Sequence, residues 1–187
     1  MQAKEEFLAI LNAVFAEDGF ENLTHLFEYD SENSHKIELD IDGKLCGWAF
    51  YETKGQNKDD AAYETNDYMK NIVLDTIETK KAMGENDIYV SLIVVNPSFQ
   101  KQGYGKTLMR LLTDRNRDKD YLYLWADNTC NNRFYELLKF ESVREFDTPY
   151  GYHTIIYRKK IAELMAPWRK EMESHDFTQT RNKEITK

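Results

Sequence analysis

Phe7, Leu8, Leu11, Val14 and Phe15 recur at helical spacing, a pattern that predicts an amphipathic helix ending by Gly19. Glu21 to Phe27 predicts a second, short helix. From Lys36 to Ile41 the pattern changes to alternation. Asp42-Gly43 then signals a tight turn, and Leu45 to Tyr51 is apolar, so the stretch predicts a β-hairpin. Residues 55–83 begin polar and become helical, with Tyr68, Met69, Ile72, Val73 and Ile77 on one face. Lys80, Lys81 and Gly84 mark the stop. Ile88 to Val95 is an apolar strand closed by Asn96-Pro97. A helix is expected from Tyr104 to Arg115, a strand from Tyr121 to Trp125 and a helix from Asn131 to Leu138. Ser142 to Phe146 should pair with Tyr152 to Arg158 around Pro149-Tyr150-Gly151. From Ile161 the chain turns charged and mostly polar, a tail expected to hold a helix broken at Pro167 and to be disordered beyond Ser174. Helices and strands that alternate loosely between two hairpins predict an α/β fold with a mixed sheet and helices on its faces.

Composition narrows the function more than the fold. A chain of 187 residues fits one domain with an appended tail, and 41% hydrophobic residues with 31% charged ones are enough for a core. The formal net charge of -8 argues against general nucleic-acid binding, which needs a basic footprint, and suits a cationic small partner such as an amine. Cys46 and Cys130 stand alone, without CxxC spacing, so neither a disulfide framework nor a metal site is expected, and a reducing cytoplasm fits. The stretch Phe7 to Phe15 follows Glu5 and Glu6 and is interrupted by Asn12, so it does not read as a signal peptide. No run is long and apolar enough to predict a membrane span.

The candidate chemistry lies in Leu92 to Thr107, where an apolar strand runs into a glycine turn that opens a helix. A helix N-terminus presents unpaired amides and a partial positive charge, which suits a phosphate. Three phosphate-binding patterns compete. A P-loop would need glycine at Gln100, although Gly105-Lys106-Thr107 supplies its end. A dinucleotide fingerprint would need glycine at Leu108, although Gly103 and Gly105 fit. The pattern Gln/Arg-x-x-Gly-x-Gly/Ala is met in full by Gln100, Gly103 and Gly105.

That segment, with Val95-Asn96-Pro97 before it, resembles the acetyl-coenzyme A motif of the GNAT family of N-acetyltransferases. The segment Leu122 to Phe140 is similar to the family's next strand and helix. There an asparagine is followed seven residues later by a tyrosine, as Asn128 is by Tyr135. The resemblance covers roughly Leu45 to Arg158, leaving 55–83 outside. It implies a mixed, mostly antiparallel sheet that splays at an acetyl-CoA cleft, in a domain of residues 1–160 carrying 55–83 as a helical insertion. It also implies direct acetyl transfer to the amine of a small molecule or peptide. By resemblance Ile93, Val94 and Val95 line the pantetheine arm, Ile93 and Val95 pairing with it through the backbone. Gln100, Lys101, Gln102, Gly103, Tyr104, Gly105, Lys106 and Thr107 surround the pyrophosphate, and Asn128 hydrogen-bonds the coenzyme. Tyr135 protonates the leaving sulfur, since a phenol of pKa about 10 can donate to a thiolate of similar basicity.

Two departures stand out: Lys139 occupies the place of the family's usual glycine before Phe140, and no strand is predicted before the first helix. Several residues carry a plainer reading beside the functional one. Asn128 suits a turn or cap, Arg110 and the lysines suit a solvated surface, and Tyr135 suits a core-facing helix position. Glu85, Asp87 and His153 are scattered carboxylate and imidazole candidates, none of which is assigned as a base. Tyr63, Tyr68 and Met69 with Asp59, Asp60, Glu64 and Asp67 would make an aromatic, acidic lid, or simply an amphipathic helix covering the sheet. A coenzyme sensor without turnover and a protein-interaction domain remain alternatives, and the 161–187 tail is a candidate contact for a second copy of the chain.

Overall fold

The computed structural model describes residues 2–15, 34–53, 67–128, 130 and 132–165. The predicted helix at Glu21 to Phe27, Tyr63 and its acidic neighbours at 59–64, and the chain from residue 166 onward lie outside the described residues. The elements are α1 (Gln2–Phe15), β1 (His35–Ile41), β2 (Lys44–Thr53), α2 (Asp67–Ala82), β3 (Ile88–Val95), α3 (Tyr104–Arg115), β4 (Tyr121–Asp127), α4 (Asn132–Leu137), β5 (Glu141–Asp147) and β6 (His153–Lys160), with a short 3-10 turn at Pro97–Phe99. They form one six-stranded sheet in the order β1-β2-β3-β4-β6-β5. Only the β3–β4 pair is parallel. The mixed, mostly antiparallel sheet is the one expected. No strand precedes α1 among the described residues. No helix among them is long and apolar enough to cross a membrane.

Local chemistry explains the ends of the sheet. Asp42 and Gly43 both have positive φ, at 54° and 74°, the conformation a two-residue hairpin turn requires. Gly43 donates its N–H to Asp40 Oδ1 at 2.8 Å. Leu45 to Glu52 of β2 are all buried, because helices cover that strand on both faces. On one face Phe7, Ile10 and Leu11 of α1 pack on Trp48, Phe50, Leu92 and Val94, with Phe7 edge-on to Trp48 at 4.7 Å. Each such buried side chain contributes about 1.5–3 kcal/mol. On the other face Leu108, Met109 and Leu112 of α3 pack on Ile37, Ala49 and Tyr51. Gly47 permits this close approach: a Cβ there would lie 2.4 Å from the Val94 carbonyl oxygen and 3.0 Å from Leu108.

Two expectations are corrected. The tail boundary at residue 160 is too early, because 161–165 continue as a helical turn whose Ile161, Leu164 and Met165 are buried in the main core. Those residues are therefore unavailable to a partner chain. Helix α2 buries Met69 and Ile72 as predicted, but its other buried positions are Asn71, Asp75, Thr76 and Thr79, not Val73 and Ile77. Hydrogen bonds from the strands below meet part of that polar face: Thr76 Oγ1 pairs with the Tyr89 hydroxyl at 2.9 Å, and Thr154 Oγ1 donates to Asp75 Oδ2 at 3.1 Å.

Candidate active site

The site begins with a failure of pairing. β3 and β4 run parallel, yet only Ile88↔Leu122 and Tyr89↔Tyr123 pair. Beyond Tyr89 the register of β3 with β2 shifts between Phe50 and Tyr51, leaving Ser91 as the extra residue. A bulge bends a strand and increases its twist, which turns the C-terminal half of β3 away from β4 and opens a gap. Asn96 donates its N–H to the Cys46 carbonyl on the β2 side at 2.9 Å. Peptide groups alternate along a strand, so those of Val95 and Ile93 face the gap and that of Val94 faces β2. Val94 is thus the one strand residue of the expected coenzyme set that turns away; its side chain is also buried, against α1. The Gln100 side-chain amide donates to the Val95 carbonyl at 3.2 Å, linking the loop to the gap-facing edge.

The gap leads into the first turn of α3. Asn96 caps the short Pro97–Phe99 turn through its side chain, and Lys101 (φ 60°) and Gly103 (φ 92°) then reverse the chain into the helix. Gly103 is the N-cap residue and can supply no side-chain cap; its carbonyl accepts the Lys106 and Thr107 amides at 3.0 and 3.2 Å, which leaves the Tyr104 and Gly105 amides of the first turn uncapped. Nothing lies within 4 Å of a Cβ placed on Gly103. The turn is an open cradle of N–H groups at the positive end of a helix, which fits a phosphate group. Lys101, Gln102, Lys106 and Thr107 are exposed around it, and Tyr104 sits edge-on to Phe99 at 5.7 Å. Lys101 and Lys106 make no ion pair among the described residues.

At Gly105 a Cβ would lie 3.2 Å from the Phe134 ring and 3.8 Å from Val95 Cγ2. Its missing side chain makes room for α4. Phe134 in turn contacts Tyr135 edge-on at 5.4 Å, so Val95, Gly105, Phe134 and Tyr135 form one contiguous group at the mouth of the gap. Tyr135 is half-buried between Phe140 (5.7 Å) and Tyr157 (5.6 Å), and its hydroxyl makes no hydrogen bond among the described residues. Desolvation raises its pKa, with Cys130 and Tyr157 adding to the effect. The phenol therefore stays protonated across the working pH range.

The remaining expected residues divide. Asn128 accepts the His153 N–H at 3.3 Å, joining β4 to β6, which is its turn role. Helix α4 is instead braced by Asn132, whose side-chain amide donates to the Asp127 carbonyl at 3.1 Å. Asp87 is buried and structural, its two oxygens accepting the Gly84 and Tyr121 amides at 2.6 and 3.1 Å. His153 is exposed and paired with Asp147 at 2.9 Å, and Glu85 is exposed. Lys139 adopts φ 57° where the family carries glycine. Lys139 N–H bonds the Glu136 carbonyl at 2.9 Å and Phe140 N–H bonds that of Tyr135 at 3.0 Å, the two bonds of a Schellman C-cap.

Comparison with known proteins agrees with this geometry. The acetyltransferase (GNAT) family model matches residues 4–140. The chain belongs to the GNAT acetyltransferase family. The GNAT fold also recurs in solved structures of low sequence identity. An aminoglycoside 6'-N-acetyltransferase complexed with coenzyme A is 14% identical, with a TM-score of 0.58 over 84% of this chain and 90% of that one. An aminoglycoside 6'-N-acetyltransferase from Enterococcus faecium is also 14% identical, with a TM-score of 0.56 over 85% and 91%. An N-acetyltransferase from Staphylococcus aureus Mu50 is 12% identical, with a TM-score of 0.54 over 86% and 93%. No curated protein matches the chain.

Proposed function

We propose that this GNAT protein transfers an acetyl group from acetyl-CoA to a primary amine, by direct attack while both substrates are bound. The observation that carries the reading is the β3–β4 gap, where the Ile93 and Val95 peptide groups face away from β2 and run into the turn at Gly103, which has no side-chain cap. That edge suits the amides of a pantetheine arm, which would extend the sheet as an added strand. The Gln100–Thr107 turn suits the pyrophosphate, with Lys101 and Lys106 beside it. Coenzyme A supplies an activated acyl group and a good leaving group; the protein supplies orientation and a proton. Tyr135 is the proton donor to the departing sulfur, because it is protonated, uncommitted in hydrogen bonding and next to Val95 through Phe134 and Gly105. Neither Cys46, which is buried with its thiol pKa raised by desolvation, nor Cys130 is needed as a nucleophile. Two cysteines outside any disulfide also support a reducing compartment such as the cytoplasm.

The experiment is thiol appearance from acetyl-CoA in the presence of a panel of primary amines: a polyamine, an aminoglycoside, an aromatic amine and a peptide with a free N-terminus. Amine-dependent thiol release with at least one class is the expected result. Coenzyme binding without release for any amine would favour a sensor of acyl-CoA over an enzyme.

A further inference from the structure

On the reading just given, an acceptor that arrives as an ammonium must lose a proton before its nitrogen can attack. We propose that Asp75, on α2, seats that ammonium and takes its proton at Oδ1, so that the acceptor approaches from the α2 face.

Asp75, Asn71 and Thr154 are all 0% exposed. Asp75 Oδ2 accepts twice, from Asn71 Nδ2 at 2.8 Å and from Thr154 Oγ1 at 3.1 Å. Its other oxygen, Oδ1, has no donor, and neither has Asn71 Oδ1. Asn71 Oδ1 can only accept, and so can Asp75 Oδ1 when the carboxyl is ionised, in a place where an unmet acceptor is costly. A second carboxylate stands beside them: Asp127 ends β4 directly opposite Thr154 of β6. After desolvation and against its two hydrogen bonds, Asp127 helps push the Asp75 pKa up to about 7. Other titratable groups on this face include the Glu52–Lys80 pair and the hydroxyls of Tyr89, which bonds Thr76, and of Tyr152, whose pKa burial, Asp127 and Asp67 raise. The lysines of α2 are spent elsewhere: Lys70 pairs with Asp67, Lys80 with Glu52 and Lys81 with Glu78. What the cluster lacks is a donor-rich cation. Among the described residues no group of three or more potential ligands is suited to a metal. A primary ammonium carries one charge and three donors, which complements these acceptors in charge and hydrogen bonding.

The location suits the reaction. Asp127 lies four residues beyond Tyr123, the last β4 residue paired with β3, so the cluster flanks the splayed part of the gap. α2 shares its sheet face with Glu52, which bonds Lys80, whereas α3 packs on the opposite face at Ala49 and Tyr51. Phosphate cradle and carboxylate thus approach the gap from opposite sides, with the thioester between them. The half-exposed Tyr152 ring lies 5.5 Å from that of Tyr68, tilted by 58°, at the outer end of α2, and this aromatic pair must part to admit an amine. In the step itself, the ammonium gives one proton to Asp75 Oδ1 and the freed nitrogen forms the bond to the acetyl carbon. The carbon–sulfur bond breaks, the sulfur takes the Tyr135 proton, and Tyr135 regains one from the nitrogen. The proton on Asp75 leaves to water with the product.

The test uses the full chain with carbon-13 label in its aspartate carboxyls, titrated by NMR with and without coenzyme A. The probe is n-butylammonium chloride, and tetramethylammonium chloride at equal ionic strength is the control. Asp75→Asn, which preserves both bonds to Oδ2, assigns the signal. Should that variant not fold, Thr154→Val assigns it through a raised midpoint. The expected result is a fall in the Asp75 midpoint of about one unit or more with butylammonium and none with the control. An Asp75 midpoint indifferent to butylammonium would overturn the proposal and leave a structural pair of acids. Coenzyme A binding, read in the same samples from the melting temperature, reports separately on the acetyltransferase reading.

Discussion

Around the gap, helix α3 buries Leu108, Met109, Leu112 and Thr113, whereas helix α2 buries Met69, Ile72, Asn71, Asp75, Thr76 and Thr79. The first helix is held by apolar packing and leaves its polar business to its N-terminus, at the glycine turn. The second carries its polar groups inside, against the strands. The difference matches the two tasks proposed for these helices. A phosphate cradle needs one backbone geometry, which a short glycine motif can specify. The proposed acceptor seat depends on side chains that distant strands bury.

The comparison can be broken or sharpened by substitution. The largest effect is expected from Tyr135→Phe. Loss of the proton donor should lower kcat by about 10²–10⁴-fold while the melting response to coenzyme A is kept. A kcat within threefold of the original would remove Tyr135 from the mechanism. Next is Asp75→Asn on stability. The folded pKa of about 7 lies above the ordinary value of 3.8, so the folded state holds a proton that the unfolded state has lost. Wild-type stability therefore falls as pH rises through that window, by about 1.4 kcal/mol per unit. Asp75→Asn should thus gain on the wild type from about pH 4 to pH 7, reaching roughly 4 kcal/mol at most, and the gap should level off above that. Urea denaturation at several pH values checks this, and a pH-independent difference would contradict it.

The two glycines of the motif give a third contrast. Gly103→Val strains a backbone at φ 92° in open space, costing about 1–2 kcal/mol, and should chiefly remove the coenzyme response. Gly105→Val drives a side chain into Phe134 and should cost about 1–3 kcal/mol of stability even without coenzyme. Equal behaviour of the two variants would show that the division of labour at this turn is misread. The smallest effect is expected at the C-cap of α4. Lys139→Gly relieves a left-handed residue at φ 57° and should raise stability by about 1 kcal/mol, measured by thermal melting.

Much of this was legible in the sequence wherever a signal is local. Asp42-Gly43 forms the turn its dipeptide announces, and Ile88 to Val95 and Tyr104 to Arg115 have the predicted ends. The turn at Gln100 to Thr107 opens a helix as its glycines suggest. What escaped depends on distant partners. Asp75 is buried because Thr154, 79 residues away, bonds it, and periodicity that counts only apolar positions assigns Val73 and Ile77 instead. Ile161, Leu164 and Met165 sit in a stretch whose charges suggested a tail, yet three apolar residues at helical spacing suffice to dock a turn on the core. Gly105 was legible as a glycine but not as a neighbour of Phe134, since nothing in the motif records which side chain fills the space.

The central claim is that the gap between β3 and β4 holds an acyl-coenzyme A, and the melting temperature with and without excess acetyl-CoA tests it most directly. Ligand at 100 times its dissociation constant adds about 2.7 kcal/mol, a rise of roughly 5–10 °C for a domain of this size. The account predicts that rise in the wild type and in Tyr135→Phe, and its loss in Gly103→Val. No rise in the wild type at millimolar acetyl-CoA would contradict it.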